Sequence, residues 1–270
     1  MTLFSDKLLS QKLEFTEANS NANFVNARAE MQLNSGAEWI NVNGTYALFD
    51  GVESPLTQTF GLGLFEDVAH EDLATIEAFF HKHDAPVFHE VSPMANQSHM
   101  PILHERGYKP IELTTVLYKV LSMDNSSQHQ ENPEMIIRAL RKGEEDNWAR
   151  TSAQGWSTEM DGLSDFMYKF ASIVVNSAGA YPFFGENDGK IISTGMLHIH
   201  NNIALLAGTS TIPEERNRGA QNAMLNTRLN YAAAQGCTLA MMCASPGSQS
   251  QRNAEKKGFK IAYTRTKWKL

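Results

Sequence analysis

Thr211-Ile-Pro-Glu-Glu-Arg-Asn-Arg-Gly-Ala-Gln-Asn222 joins an apolar run to a helical pattern, and its reading decides the fold. The chain must turn here, and Gly219 lets the backbone approach a ligand closely. The first amides of the helix that follows lack intrahelical acceptors and lie at the positive end of its dipole, so together they form an anion site. Arg216 and Arg218 add charge suited to phosphate oxygens. The ligand expected is a phosphorylated small molecule, with a pyrophosphate fitting best. An exposed turn with solvated arginines is the plain alternative. Two other phosphate loops are excluded, because the chain has neither G-x-x-x-x-G-K-[ST] nor a G-x-G-x-x-G opening a first β-α unit.

Working outward, Ile203–Ile212 reads as the strand entering the loop and Gln221–Ala234 as the helix leaving it, closed by Gly236. Upstream come a short strand at Met135–Leu140, helices at Glu144–Trp156 and Ser164–Ser177, and strands at Tyr181–Gly185 and Lys190–His200. The last two flank Asn187-Asp188-Gly189, a hairpin signal. Downstream lie the apolar strand Leu239–Ala244, a polar helix ending at Lys257, and a closing strand Lys260–Leu270. This order specifies a mixed α/β or α+β sheet with helices packed on it.

The first half carries a weaker copy of the ending. A helix at Glu71–His83, a strand at Val87–Val91, Ser92-Pro93, a helix ending at Gly107-Tyr108 and a strand to Val120 parallel the later series. That series runs helix, strand, Ser245-Pro246, helix, Gly258-Phe259 and strand, so a tandem duplication follows. Ser122–Pro133, SMDNSSQHQENP, is polar and aperiodic and reads as a linker. The expected division is 1–121, a linker at 122–134, and 135–270.

With 42% hydrophobic and 20% charged residues, 270 residues can fold a sizeable core. A net charge of -7 argues against a general nucleic-acid binder. No apolar run approaches the roughly 20 residues that span a bilayer. Nor do residues 1–34 show a basic-flanked apolar core, so a cytoplasmic protein is expected, as monomer or homodimer. Cys237 and Cys243, the two cysteines, read as reduced, buried and structural.

The run PEERNRGAQNAML resembles the pyrophosphate loop of the GNAT acetyltransferase superfamily, [RQ]-x-x-G-x-[GA], with Arg216 and Gly219 at the first two fixed positions. Gln221 departs from it, standing where Gly or Ala is usual. Asn253-Ala-Glu-Lys-Lys-Gly-Phe259 is similar to the family's late helix ending in Gly-Phe. The resemblance implies a mostly antiparallel mixed sheet flanked by helices, in two copies, with 135–270 as the acetyl-coenzyme A-binding copy. In the degenerate first copy, the equivalent Phe60-Gly-Leu-Gly-Leu-Phe-Glu-Asp67 has two acids and no arginine, and should repel phosphate.

The resemblance further implies that the pyrophosphate rests on the backbone of Arg216, Asn217, Arg218, Gly219, Ala220, Gln221 and Asn222. The pantetheine arm would pair with Ser210, Thr211 and Ile212, while Arg252 and Asn253 would contact pantetheine or phosphate or else cap and solvate their helix. An amine attacks the thioester directly, which calls for a base, an oxyanion donor and an acid for the thiolate. The family's acid, a tyrosine, is replaced by Ala254. Ser245 and Tyr263 are candidate acids, against plain readings as a turn serine and a core aromatic. His198 is the candidate base: with His200 it shares one strand face, which would equally suit a half-exposed strand. No third ligand accompanies that pair, so no metal is expected. His81 and His83 read as solvated helix residues.

The expected function is acetyl-coenzyme A-dependent N-acetylation of a small-molecule amine or an exposed peptide amine. Non-catalytic acyl-coenzyme A sensing is the alternative from a second class, and an assembly scaffold the third.

Overall fold

The computed structural model describes residues 3–122, 135–158 and 163–270. Most of the expected linker, 123–134, lies outside them. The chain forms two compact units, one of 1–119 with 241–270 and the other of 120–240.

The first unit opens on α1 (Lys7–Met31), capped by Asp6, whose carboxylate accepts from Leu9 N–H at 2.8 Å. Then follow β1 (Glu38–Val42), β2 (Thr45–Phe49), β3 (Gln58–Phe60), α2 (His70–His81), β4 (Phe88–Val91), α3 (His99–Glu105) and β5 (Lys109–Val120). Leu73, Ile76 and Phe80 of α2 pack with Val91, Leu103 and Tyr108 in one core, and Ala18, Ala22 and Val25 of α1 pack with Leu48 and Phe60 in another. The strand β3 pairs with β4 in parallel, Thr59 opposite His89, whereas β1–β2 and β2–β3 are antiparallel.

The C-terminal segment completes this unit. After β10 (Leu239–Ala244) and α7 (Gln249–Lys256), β11 (Lys260–Lys269) inserts between β4 and β5, antiparallel to both. Thr266 faces Val91 on one side and Leu113 on the other. Periodicity along the chain assigns residues 241–270 to the second half. Strand pairing assigns them to the first unit, because a strand belongs physically to the neighbours whose hydrogen-bonding groups it satisfies.

The second unit contains β6 (Met135–Ala139), α4 (Glu145–Trp156), α5 (Leu163–Val174), β7 (Ala180–Asn187), β8 (Lys190–His200), β9 (Ile203–Thr211), a 3-10 turn at Pro213–Glu215 and α6 (Ala220–Ala234). Its four strands pair antiparallel in the order β9-β8-β7-β6. Phe184 packs with Trp148 and Ala171 of α4 and α5, while its neighbour Phe183 meets Tyr231 of α6. Successive strand residues point to opposite faces, so α4 and α5 cover one face of this sheet and α6 the other. Trp148 is 1% exposed and its indole N–H donates to the Phe183 carbonyl at 2.9 Å, a satisfied polar atom inside the apolar layer. Among the described residues no helix is long and apolar enough to cross a membrane.

Candidate functional site

Strand β9 delivers the chain to residues 212–219, and α6 leaves from them. One edge of β9 is occupied by β8: Thr194 faces Ser210, Ser193 faces Thr211, and Ile212 N–H donates to the Ile192 carbonyl at 2.9 Å. The Ser210 hydroxyl lies 2.9 Å from Thr194 Oγ1 and donates to the Ser152 carbonyl of α4 at 3.2 Å. A Cβ on Gly155 would come within 2.5 Å of Ser210, so only glycine lets α4 lie this close to the strand. These contacts fix the end of β9 before the turn.

Asn217 and Gly219 have φ of +65° and +85°. Nothing lies within 4 Å of the position a Gly219 Cβ would take, so glycine is needed there for its left-handed backbone, not for room. Gly219 is the N-cap of α6 and makes no side-chain cap bond; the i→i−4 bond of Ala223 N–H closes on its carbonyl at 3.0 Å. The amides of Ala220, Gln221 and Asn222 precede that bond and point out of the helix end. Such an opening, with clear space beside its glycine, fits a diphosphate.

The arginines differ from the simple expectation. Arg216 donates from Nη2 to the Gly155 carbonyl at 2.8 Å and from Nε to the Thr211 carbonyl at 3.3 Å, so it braces the loop against α4. Arg218 pairs with Glu215 at 2.9 Å, and Lys190 approaches the same carboxylate at 3.0 Å. The Lys190 hydrogen bond, with the charges of Arg218 and Lys190, holds Glu215 below the usual carboxylate range.

Of the candidate catalytic groups, His198 is buried on β8 and paired with Leu205 and Ala180. Burial, then the neighbouring His200, pulls its pKa down to about 4, leaving a neutral but weak base. Tyr263 on β11 is 6% exposed; its hydroxyl donates to Glu14 at 2.8 Å, and burial plus that carboxylate raise its pKa well above the usual value. Ser245 is exposed in the turn after β10, its carbonyl accepting from Ser248 N–H at 3.1 Å. Ser248 caps α7, accepting from Gln251 N–H. Arg252 is exposed on that helix, and Asn253 accepts from Gln249 at 2.8 Å. Ala254 is buried. His83 is not solvated as expected: it lies beyond the end of α2, stacks on Phe49 at 4.0 Å and bonds Glu38 at 2.7 Å.

In the first unit the corresponding turn closes inward. Leu62 and Leu64 are buried, and Asn96 N–H donates to the Gly63 carbonyl at 2.7 Å. Beside it lies a charge cluster the sequence reading missed. Arg265 of β11, 3% exposed, meets Glu14 at 3.2 Å and Glu17 at 2.7 Å on α1. Its Nε is also 2.9 Å from Glu90 of β4, without hydrogen-bond alignment. The Cys243 thiol donates to Glu17. No signal marks this group locally, since Glu14 and Arg265 are 251 positions apart. Among the described residues no set of three His, Cys, Asp or Glu side chains is arranged to hold a metal.

Residues 140–259 match the model of the acetyltransferase (GNAT) family. A GCN5-related N-acetyltransferase from Kribbella flavida shares the fold at TM-score 0.62 and 17% identity, over 90% of this chain and 93% of that one. A functionally unknown conserved protein from Staphylococcus epidermidis aligns at TM-score 0.61 and 5% identity, over 88% and 95%. A tandem GNAT protein from the clavulanic acid biosynthesis pathway aligns at 0.56 and 14%, over 74% and 68%. At these identities the likeness is one of fold, and it spans both units. No curated protein matches the chain by sequence.

Proposed function

We propose that the second unit binds acetyl-coenzyme A at residues 210–222 and transfers its acetyl group to the amine of a small molecule or exposed peptide. The observation that carries this reading is the opening of α6: a left-handed Gly219 with open space beside it, directly after a strand braced by Ser210 and Arg216. The amides of residues 216–222 bind the pyrophosphate, with Arg218 shared between it and Glu215. The pantetheine arm pairs with the backbone of Ser210–Ile212. The bound coenzyme supplies a thioester activated for attack by an amine.

The amine must arrive neutral, and one with a lysine-like pKa of about 10.4 is less than ~0.1% neutral at pH 7. His198 is too weak a base to collect that proton efficiently, and Tyr263 is engaged with Glu14. Ser245 is the solvent-facing candidate among the three. A leaving thiol with a pKa near 8.5 departs tolerably as thiolate without immediate protonation.

Buried Ala254 at the family's acid position favours a second reading, a sensor that binds acyl-coenzyme A without turnover. A screen of amines for release of free thiol from acetyl-coenzyme A separates the two. Turnover with any amine supports the enzyme; tight binding with no release across the screen leaves the sensor. In calorimetry Gly219→Glu should abolish coenzyme A binding, since it sets bulk and negative charge against the phosphates, and unchanged affinity would refute the placement.

A further inference from the structure

The helix α1 is fastened to the first unit by two unlike halves. From Ala18 to Arg28 the hold is apolar: Ala18, Ala22 and Val25 pack with Leu48 and Phe60, and Arg28 closes on Asp50 at 2.7 Å. From Lys7 to Glu17 it is largely polar, with Leu9 and Leu13 as its buried aliphatic side chains. Lys7 donates to Asn96 at 2.6 Å, Ser10 meets Ser92 at 2.7 Å, and Gln11 donates to the Leu64 carbonyl at 2.9 Å. Glu14 and Glu17 both accept from Arg265 of β11. Glu14 also accepts from the Tyr263 hydroxyl at 2.8 Å, and Glu17 from the Cys243 thiol of β10 at 3.3 Å.

The charges beneath this half do not balance. Three carboxyls meet there, Glu14 and Glu17 from α1 and Glu90 from β4, against two cations of β11, Arg265 and Lys267. Lys267 is shared, 3.5 Å from Glu90 and 3.5 Å from Glu112 of β5 at the exposed rim. Burial, then the adjacent carboxylates, raise Tyr263 and Cys243 well above their usual values, so neither carries charge. With all three carboxyls ionised the cluster holds an uncompensated negative charge away from water, so one of them keeps a proton. Burial acts to raise Glu17, but the Arg265 charge and its two Nη donors outweigh it and hold that group below the usual range. Burial pushes Glu14 up to about 7 against the pull of Arg265, so the proton rests there. Even when closed the network is incompletely satisfied: Arg265 Nε and Glu90 Oε2 lie 2.9 Å apart and neither makes a hydrogen bond.

We infer that the Lys7–Glu17 half of α1 is a proton-latched strap: it lies closed on the sheet while the Glu14, Glu17 and Glu90 cluster keeps one proton, and lifts more readily once that proton is lost, with the Ala18–Arg28 half as its anchor. The strap lies wholly in the first unit and owes nothing to where a coenzyme binds. In the lifted state Glu14 meets water and returns to its ordinary 4.5. A carboxyl raised in the closed state stabilises closure fully below 4.5 and loses that contribution as pH climbs to about 7. Each pH unit in that window multiplies opening by about ten, and above it the opening levels off.

The test is backbone amide exchange of the full chain between about pH 5 and about pH 8, corrected for the intrinsic pH dependence of exchange and compared at residues 8–17 and 18–28. At pH 7 exchange over 8–17 should outrun that over 18–28 by at least about tenfold, because the strap lifts without its anchor. Opening over 8–17 should rise about 10²-fold from pH 5 to pH 7 and little beyond. In Glu14→Gln that rise should shrink to under about threefold. Glu90→Gln, which leaves two carboxyls facing two cations, should shrink it as well and decides the matter if Glu14→Gln does not fold. Exchange over 8–17 no faster than over 18–28 would show that α1 opens only with the whole unit. A rise as steep in the variants as in the parent would show that another group sets the pH dependence. Either result overturns the strap.

Discussion

At the residue scale, the most consequential group for stability is Arg265. Burial opposes its charge, but Glu14 and Glu17 outweigh that and hold it protonated, well above the usual value. Removing it leaves several buried carboxylates without a counter-charge. Arg265→Met should therefore destabilise the chain by about 3–5 kcal/mol, read from the urea midpoint. Glu14 is pushed up by burial to about 7, with Arg265 opposing. A carboxyl raised on folding contributes stability below its unfolded value of 4.5 and loses it as pH climbs to about 7. Stability of the parent should thus decline across that window, and Glu14→Gln should flatten the decline; equal slopes in the two proteins would contradict it. None of this was legible beforehand, because a lone arginine in a threonine- and lysine-rich strand carries no sign of partners near the other end of the chain.

At the element scale, β9, the turn and α6 were legible because each signal is local: an apolar run, a proline, a glycine before a helical pattern. The loop's arginines were recognised, but their bracing of α4 was not, since it depends on Gly155 lying against Ser210. Gly155→Ala should force those elements apart and cost about 1–3 kcal/mol in thermal unfolding. The long α1 escaped notice for a different physical reason. Its buried face includes Ser10, Glu14 and Thr16, while Leu8 is 59% exposed, so hydrophobic periodicity does not mark it. Its polar residues are buried because they pair across the fold: Ser10 lies 2.7 Å from Ser92, and Glu14 meets Arg265 and Tyr263.

At the scale of the whole molecule, duplication was readable from the repeated order of elements, whereas the destination of the last strand was not. Alternation along 260–269 announces a strand but cannot say which strands it joins. In the structure β11 supplies the centre of the first unit's sheet, between β4 and β5, and brings Arg265 to the glutamates of α1. Removing residues 260–270 should therefore unfold the first unit, with loss of its amide protection across 88–91 and 109–118; retained protection there would show that the strand is dispensable. Glycines and arginine at the anion loop can be read from a sequence, but strand exchange of this kind requires the pairings themselves.

Amide exchange of the full chain with and without saturating coenzyme A tests most directly whether the opening of α6 grips the coenzyme, as proposed. Slowed exchange should concentrate at residues 210–223; protection centred on 60–67, with 210–223 unchanged, would refute binding at α6.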